Sequence, residues 1–274
     1  MRNKYISFYA LAIFTFCINV KASDNDFKIT LGGQLTSFNS AIQINNSNNG
    51  NNRQIDLEND LGYDNSVNLF HGSIETTFSD NHRLYINISP FRRKAQSALL
   101  KSIDFEDDTL LIDTDIDTKF VNTTYDLIYG YRFKTSEKGE LEALAGIYWM
   151  KSKFDIEASG LIENELGEIN FNANYKNKRN VNIPLPLFGL GYKYHLTNEW
   201  ELIGSARYFS ASYNDLDGSA TSFSVSLEYD TKKEWGYGLS LVYLDVDVGL
   251  TKSDFKGRVN WQYSGLTAYL FYKF

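Results

Sequence analysis

Every second position in the last nine residues of the chain carries an apolar or aromatic side chain. Leu266, Ala268, Leu270, Tyr272 and Phe274 occupy every second position. Successive side chains of an extended strand point to opposite faces, so all five lie on the same face. The segment therefore predicts a β-strand with one apolar face that ends in an aromatic residue.

The amino terminus has the three parts of an export signal. Met1–Lys4 carries two positive charges, Tyr5–Val20 is apolar, and Val20 and Ala22 place small side chains around a cut after Ala22. This order is typical of a Sec-type signal peptide. The sequence therefore predicts a signal peptide over residues 1–22 and a single mature domain over residues 23–274.

Cysteine and charge exclude several classes of site and partner. Cys17 is the only cysteine and leaves with the signal, which removes disulfides, thiolate metal sites and cysteine nucleophiles from the mature chain. The mature net charge is −10, because three of the 27 basic residues leave with the signal while all 34 acidic residues stay. That balance argues against nucleic acid, and also against anionic lipid, as a partner.

Composition is compatible with a membrane protein that has no spanning helix. No apolar run after the signal reaches the roughly 18 residues that a spanning helix needs. Aromatic residues make up 15% of the chain and the mean hydropathy is −0.35. A β-barrel explains both values, because its polar and apolar positions alternate and hydropathy averages out. The predicted fold is all-β, a closed antiparallel transmembrane up-and-down β-barrel.

Turn signals divide the mature chain into ten strands. The clearest hairpin joins strands at 66–78 and 83–95 through Ser79–His82. Connections alternate between short and long, so we expect the short ones and both termini on the periplasmic side. The long ones, including a first loop up to Asn65 and a third over residues 157–178, are expected outside. Eight strands remain an alternative if two segments pair beyond the membrane.

Charged residues within the predicted strands share the inward face. An arginine facing lipid at the midplane would cost about 2–4 kcal/mol, so these side chains must point into the lumen. They form either a polar pathway with weak ion selectivity or an ion-pair network that packs a narrow barrel shut. The predicted lumen network consists of Glu75, Asp126, Arg132, Glu142, Glu201, Arg207 and Glu228.

Three further segments resemble parts of a broad, mostly uncharacterised group of proteobacterial outer-membrane β-barrels. They are Ile55–Gly62, Ser79–Leu84 and Phe255–Gly265. The final strand resembles the closing strand of bacterial outer-membrane barrels, in which a terminal Phe and alternating apolar positions are recognised by the barrel-assembly machinery. The resemblance implies an outer-membrane location with membrane lipid and lipopolysaccharide as neighbours. It also implies an assembly signal made of Leu266, Leu270, Tyr272 and Phe274.

Histidine positions argue against an enzyme. The proteases, acyltransferases and lipases of the resembling class place a catalytic His near the outer rim. Here His82 and His195 fall in predicted periplasmic turns, and His71 faces the lumen beside Glu75. No base is left at the outer rim for a Ser–His or Asp–His mechanism.

An acidic connection offers hard oxygen ligands for a cation, but it lacks the spacing of a calcium loop. Its weak metal candidates are Asp104, Glu106, Asp107 and Asp108. We therefore predict no cofactor. The leading hypothesis is a non-enzymatic outer-membrane barrel with an envelope-structural or surface-interaction role through its loops. The alternatives are a small passive channel and a surface enzyme acting on lipid or peptide.

Overall fold

The computed structural model describes residues 27–45, 52–99, 102–105, 108–164, 166–213, 216–231, 233–252 and 255–274. Three short strands, β2 (Asn52–Asp56), β5 (Ile103–Phe105) and β6 (Asp108–Leu110), lie in connections. The ten long strands form the wall, and they are β1 (Phe27–Asn45), β3 (Ser66–Ser79), β4 (His82–Ala98), β7 (Asp115–Lys134), β8 (Gly139–Glu163), β9 (Ile169–His195), β10 (Trp200–Tyr213), β11 (Leu216–Asp230), β12 (Trp235–Lys252) and β13 (Phe255–Lys273).

The wall is a closed antiparallel barrel. Each long strand pairs with its sequence neighbour in the wall, and β13 returns to pair with β1 from Lys28↔Lys273 to Ile44↔Gly257. Closure satisfies the backbone groups that an open edge would leave exposed. The ten-stranded prediction is confirmed, and the eight-stranded alternative is wrong.

Both described chain ends meet at one end of the barrel. The Phe274 amide donates to the Phe27 carbonyl over 2.9 Å. The short turns that follow β3, β7, β9 and β11 lie at this end. We call it the terminal end, and we call the opposite end, where the long connections lie, the distal end.

An apolar belt surrounds the outer wall. Leu31, Leu127, Leu241 and Leu270 are 49–64% exposed, and aromatic rings border them. An exposed apolar surface of this extent is too large for a soluble monomer and fits contact with lipid. The four predicted assembly residues lie on this face, with Leu266, Leu270, Tyr272 and Phe274 all more than 40% exposed.

Two predicted loops are wrong. The first ends in β2 and a folded turn whose Leu57, Leu61 and Tyr63 are buried. The third is mostly strand, because β8 continues to Glu163 and β9 begins at Ile169. Inward residues of this hairpin, such as Ile156, Ala158 and Ile162, are buried. Its outward positions are mostly polar, so the apolar alternation that marks a lipid-facing strand is lost there.

Two prolines lie within β9. Pro184 and Pro186 pair with Trp149 and Ile147 of β8, at the height of the apolar belt. The β9–β10 ladder ends at Phe188, so this part of β9 needs no donor toward β10. Proline is tolerated where a strand lacks a partner on one side.

Candidate functional site: the lumen

The terminal half of the lumen holds a polar cavity of about 280 Å³, which we call the polar chamber. Inward positions of all ten wall strands supply its side chains, because the alternation that places apolar groups outside places polar groups inside. Its charged lining residues are Lys28, Glu75, Arg83, Asp126, Arg132, Glu140, Glu142, Lys193, Arg207 and Glu228.

A chain of ion pairs crosses the polar chamber. The Lys28 ammonium lies 2.7 Å from the Glu228 carboxylate and 4.0 Å from that of Glu75. Arg83 Nε is 3.5 Å from Glu75. The Tyr269 hydroxyl donates to Glu228 over 3.0 Å. Each carboxylate in this chain therefore has a cation or a hydroxyl donor within reach, as buried charges require.

Glu142 extends the chain toward β7. The Tyr85 hydroxyl donates to its carboxylate over 2.8 Å. A Cβ at Gly130 would lie 2.2 Å from Glu142 Oε1, so this inward glycine provides the space for the carboxylate. Arg132, on the same strand as Gly130, lies 3.4 Å from Glu140.

The remaining three predicted network residues form separate pairs. Asp126 and Arg207 lie 3.7 Å apart, nearer the middle of the lumen. Glu201 lies 3.2 Å from the Lys193 ammonium and 3.1 Å from His195 Nδ1. The seven predicted residues thus all lie on the inward face, and four of them, Glu75, Arg132, Glu142 and Glu228, share the main ion-pair chain.

Several partners in these networks were not identified from the sequence. Lys28, Arg83 and Lys193 supply cations, and Tyr85 and Tyr269 supply hydroxyl donors. A signal for them was present: each shares the parity of other inward residues on its strand, as Arg83 does with Tyr85. A search for every charged residue that shares sequence parity with the inward residues of its strand would have found the three cations.

Above the polar chamber, aromatic rings pack across the lumen. Phe91 lies 5.7 Å from Phe120 and 5.6 Å from Trp261, and Phe38 lies 5.3 Å from Phe91, all between ring centroids. All four rings are at most 7% exposed. We call these four residues, which come from β1, β4, β7 and β13, the aromatic layer. Offset and edge-on contacts of this kind stabilise a packed core.

A folded turn lies on the distal side of the aromatic layer. It covers residues 57–65, and we call it the plug. Leu57 and Leu61 are 3% and 1% exposed and pack into the same apolar core. Gly62 has a φ of +74°, a conformation that glycine adopts without strain. Burial raises the pKa of the Tyr63 phenol to about 12, so this side chain stays neutral.

Arg93 of β4 joins the plug to the wall. Its guanidinium lies 2.6 Å from Glu58 and donates to the Asp64 carbonyl over 2.8 Å. It also donates to Ser40 Oγ over 3.1 Å and lies 4.8 Å from the centre of the Phe38 ring. The buried Arg93 cation therefore holds Glu58 of the plug beside the aromatic layer.

The distal lumen holds a small apolar cavity of about 70 Å³. Its lining includes Leu57, Leu61, Phe120 and Trp261. The two cavities share no lining residue. Apolar packing therefore separates the polar chamber from the distal end.

The histidines do not assemble a catalytic group at the distal end. His71 Nδ1 lies 3.3 Å from Ser89 Oγ inside the lumen, and His195 pairs with Glu201. His82 Nδ1 lies 2.6 Å from the Tyr129 hydroxyl on the outer wall near the terminal end.

Of the weak metal candidates, Glu106 and Asp107 lie outside the described residues, whereas Asp104 is in β5 and Asp108 is in β6. Within the described ranges, no group of three or more His, Cys, Asp or Glu residues has the arrangement of a metal site.

Comparison with solved structures agrees with this architecture. The chain is similar to the outer membrane protease OmpT from Escherichia coli, with a TM-score of 0.61, 15% identity, and coverage of 92% of this chain and 98% of that one. It is also similar to the translocator domain of the autotransporter NalP from Neisseria meningitidis, with a TM-score of 0.52, 10% identity, and coverage of 96% and 92%. The chain thus has the fold of bacterial outer-membrane β-barrel proteins.

Sequence comparison adds no nearer relative. No protein-family model matches the chain, and no curated protein matches it in sequence. In the part of the chain that is described, no helix is long and apolar enough to cross a membrane.

Proposed function

We propose that this protein is a non-enzymatic outer-membrane barrel whose lumen is closed to solutes and whose outer surfaces serve the envelope. The observation that carries this proposal is the apolar packing of the plug against the aromatic layer. Leu61 is 1% exposed and Trp261 is 2% exposed. Hydrated solutes cannot cross such packing without opening it, because protein interiors leave few voids as large as a water molecule.

The surfaces left for function are the distal connections and the outer wall. The β8–β9 hairpin extends beyond its neighbours and is the largest of these elements. Lys176 and Glu157 form an ion pair on its flank, with more than half of each side chain exposed. A long paired hairpin with a polar outward face suits contact with other envelope components.

A passive channel is the second candidate, and the polar chamber favours it. A charged cavity of about 280 Å³ at the terminal end resembles one half of a solute path. The two candidates differ in liposome swelling. Vesicles that contain the protein should keep their volume in isosmotic small sugars and amino acids. Swelling above protein-free vesicles would establish a channel.

A surface enzyme is the third class, because one protein of similar fold is a protease. We infer no catalysis, since His71 meets Ser89 below the aromatic layer, where a lipid or peptide chain has no access. Incubation of the protein with lipid A and with peptide libraries should leave both unchanged by mass spectrometry. A product that disappears in the His71→Ala variant would establish an enzyme.

The carboxyl-terminal Phe is proposed to act in assembly. Deleting Phe274 should lower the amount of folded, heat-modifiable protein in the outer membrane. The Phe274 ring also contacts Phe27, with centroids 5.6 Å apart, so Phe27→Ala is the matched control that removes the ring contact but keeps the terminus. Normal levels of the truncated chain, or an equal loss in the control, would contradict an assembly signal.

A further inference from the structure

Cationic side chains are concentrated on one part of the outer wall, immediately distal to the apolar belt. They project outward from four neighbouring strands, β4, β7, β8 and β9. We call this surface the basic band, and it consists of Arg92, Lys94, Lys119, Lys151, Lys153 and Lys178.

Register brings these cations together. Lys94 of β4 lies directly opposite Lys119 of β7. Arg92 lies opposite Val121, which in turn lies opposite Lys153 of β8. Neighbouring strands are roughly 4.8 Å apart. Like charges directly opposite each other destabilise a sheet, so this arrangement carries an electrostatic cost in the free protein.

Carboxylates of the chain do little to offset this cost. Asp155 is the acidic residue within the rows of the basic band; it lies directly opposite Lys119 in the register, and its carboxylate is 3.5 Å from the Lys153 ammonium. Among the residues that the structure describes, Arg92, Lys94 and Lys119 have no ion-pair partner. Three adjacent cations thus remain available to an external anion.

The height of the basic band matches a lipid headgroup layer. The row below it contains Tyr125 and Trp149, which end the apolar belt on these strands. The Lys151 ammonium lies 4.5 Å from the Trp149 ring and 5.3 Å from the Tyr125 ring. Two residues along a tilted strand rise roughly 5 Å, so the band spans roughly 5–15 Å beyond the apolar edge.

The opposite wall at the same height has the reverse charge. Asp217, Asp245 and Asp247 project outward there with a single cation, Arg258. Arg258 forms an ion pair with Asp247 and lies 3.6 Å from Asp217. The cations of the basic band are therefore a local feature and not a uniform ring around the barrel.

We propose that the basic band binds the phosphate groups of a phosphorylated glycolipid headgroup in the outer leaflet, with the acyl chains against the row of Ile88, Tyr125 and Trp149. Lysine and arginine form charge-assisted hydrogen bonds with phosphate, whose negative charge relieves the repulsion between Lys94 and Lys119. This inference rests on the proposed outer-membrane function together with the predicted periplasmic position of the termini, which directs the distal end outward, and it is independent of whether the lumen is closed.

The test compares wild-type protein with an Arg92→Gln/Lys94→Gln/Lys119→Gln variant. Both are purified as full chains in zwitterionic micelles and titrated with diphosphoryl lipid A. The midpoint of thermal unfolding reports binding, because a ligand that binds the folded state raises it. Each cation near an anionic lipid surface contributes about fivefold in affinity, so the triple variant should bind about a hundredfold more weakly.

A matched control separates the effect of the basic band on lipid A binding from the effect of the net charge of the protein. Lys134→Gln/Lys138→Gln/Lys233→Gln removes three exposed cations at the terminal end and should bind lipid A as wild type does. Without lipid, the basic-band variant should unfold at a slightly higher temperature than wild type, because repulsion has been removed. Equal affinity of wild type and the basic-band variant, or equal losses in both variants, would overturn the proposal.

Titrations with other phosphate-containing ligands identify the source of the phosphate. Inorganic phosphate and phosphatidylglycerol vesicles should each bind more weakly than diphosphoryl lipid A, because the glycolipid presents two phosphates to adjacent cations. Equal binding of either would overturn assignment to a glycolipid. A channel seen by liposome swelling would contradict the closed lumen and leave this result unchanged, so the two proposals fail separately.

Discussion

The terminal half of the lumen is filled with ionised and hydroxyl-bearing side chains around a cavity of about 280 Å³. The distal half is filled with aromatic and aliphatic side chains and keeps a cavity of about 70 Å³. Both halves are built from the inward positions of the same strands. The difference shows that the inward side chains of the wall change from polar to apolar along the barrel, as the aromatic layer illustrates, and that the plug adds further apolar groups at the distal end.

The two halves also treat charge differently. In the polar chamber, Lys28 is shared between Glu228 and Glu75, so loss of one partner leaves another. In the distal half, Arg93 is the cation that meets Glu58, and both side chains are at most 10% exposed. Removing one member of a buried pair is costly because the other charge is left without compensation. Three predictions follow from this contrast, in order of expected size.

The largest effect is expected for Arg93→Met. This change leaves the Glu58 carboxylate buried beside apolar rings and should lower the free energy of unfolding by about 3–5 kcal/mol. Urea unfolding in lipid vesicles measures it, with Lys134→Met, an exposed cation at the terminal end, as a control that changes stability by less than about 0.5 kcal/mol. Equal effects of the two variants would show that the plug is not held by Arg93.

Leu61→Ala should come next. The side chain is 1% exposed in the plug, and truncating a buried leucine costs about 2–5 kcal/mol. Leu166→Ala makes the same change at a residue that is 82% exposed at the tip of the β8–β9 hairpin. The control should be close to wild type in the same unfolding experiment. A plug variant as stable as the control would contradict apolar packing in the distal half.

The smallest effect is expected for Lys28→Met in the polar chamber. Glu228 keeps the donor hydroxyl of Tyr269, and Glu75 keeps Arg83, so the loss should be about 1–3 kcal/mol. Adding Glu228→Gln should recover part of that loss, and a double-mutant cycle measures the coupling. No coupling between the two positions would mean that the pair is screened by water.

Much of the wall was predictable from the sequence, because lipid on one side and a polar lumen on the other impose a period of two. The hairpin of β3 and β4 and the final strand follow this rule closely. The rule fails beyond the membrane. The outward face of the distal β8–β9 hairpin is solvated there instead of facing lipid, so its sequence resembles that of a loop.

The plug was missed for a different reason. Asp56, Glu58 and Asp60 make the segment look solvated, yet their carboxylates accept bonds within the fold, as Glu58 does from the Ser40 amide over 2.8 Å. The even spacing of Leu57, Leu61 and Tyr63 fits the period of a strand, yet residues 57–61 fold as a turn. Their burial depends on the shape of the distal lumen, which only the closed barrel defines.

Similarly, the alternation of inward and outward positions identified the acidic residues of the polar chamber but did not identify their partners. Glu228 meets Lys28 from a position 200 residues away, and no local pattern joins them. The basic band was hidden because net charge averages over all surfaces. The chain has a net charge of −7, yet six cations share one part of the wall with one carboxylate.

The closed lumen is tested most directly by single-channel recording of the full-length protein in planar bilayers. Wild type and the exposed control Leu166→Ser should show no stable openings, whereas Leu57→Ser/Leu61→Ser should show them, because hydroxyls admit water to the apolar half. Stable openings of wild type that change on Glu142→Ala or Arg207→Ala would contradict the account and establish the polar chamber as part of a pore.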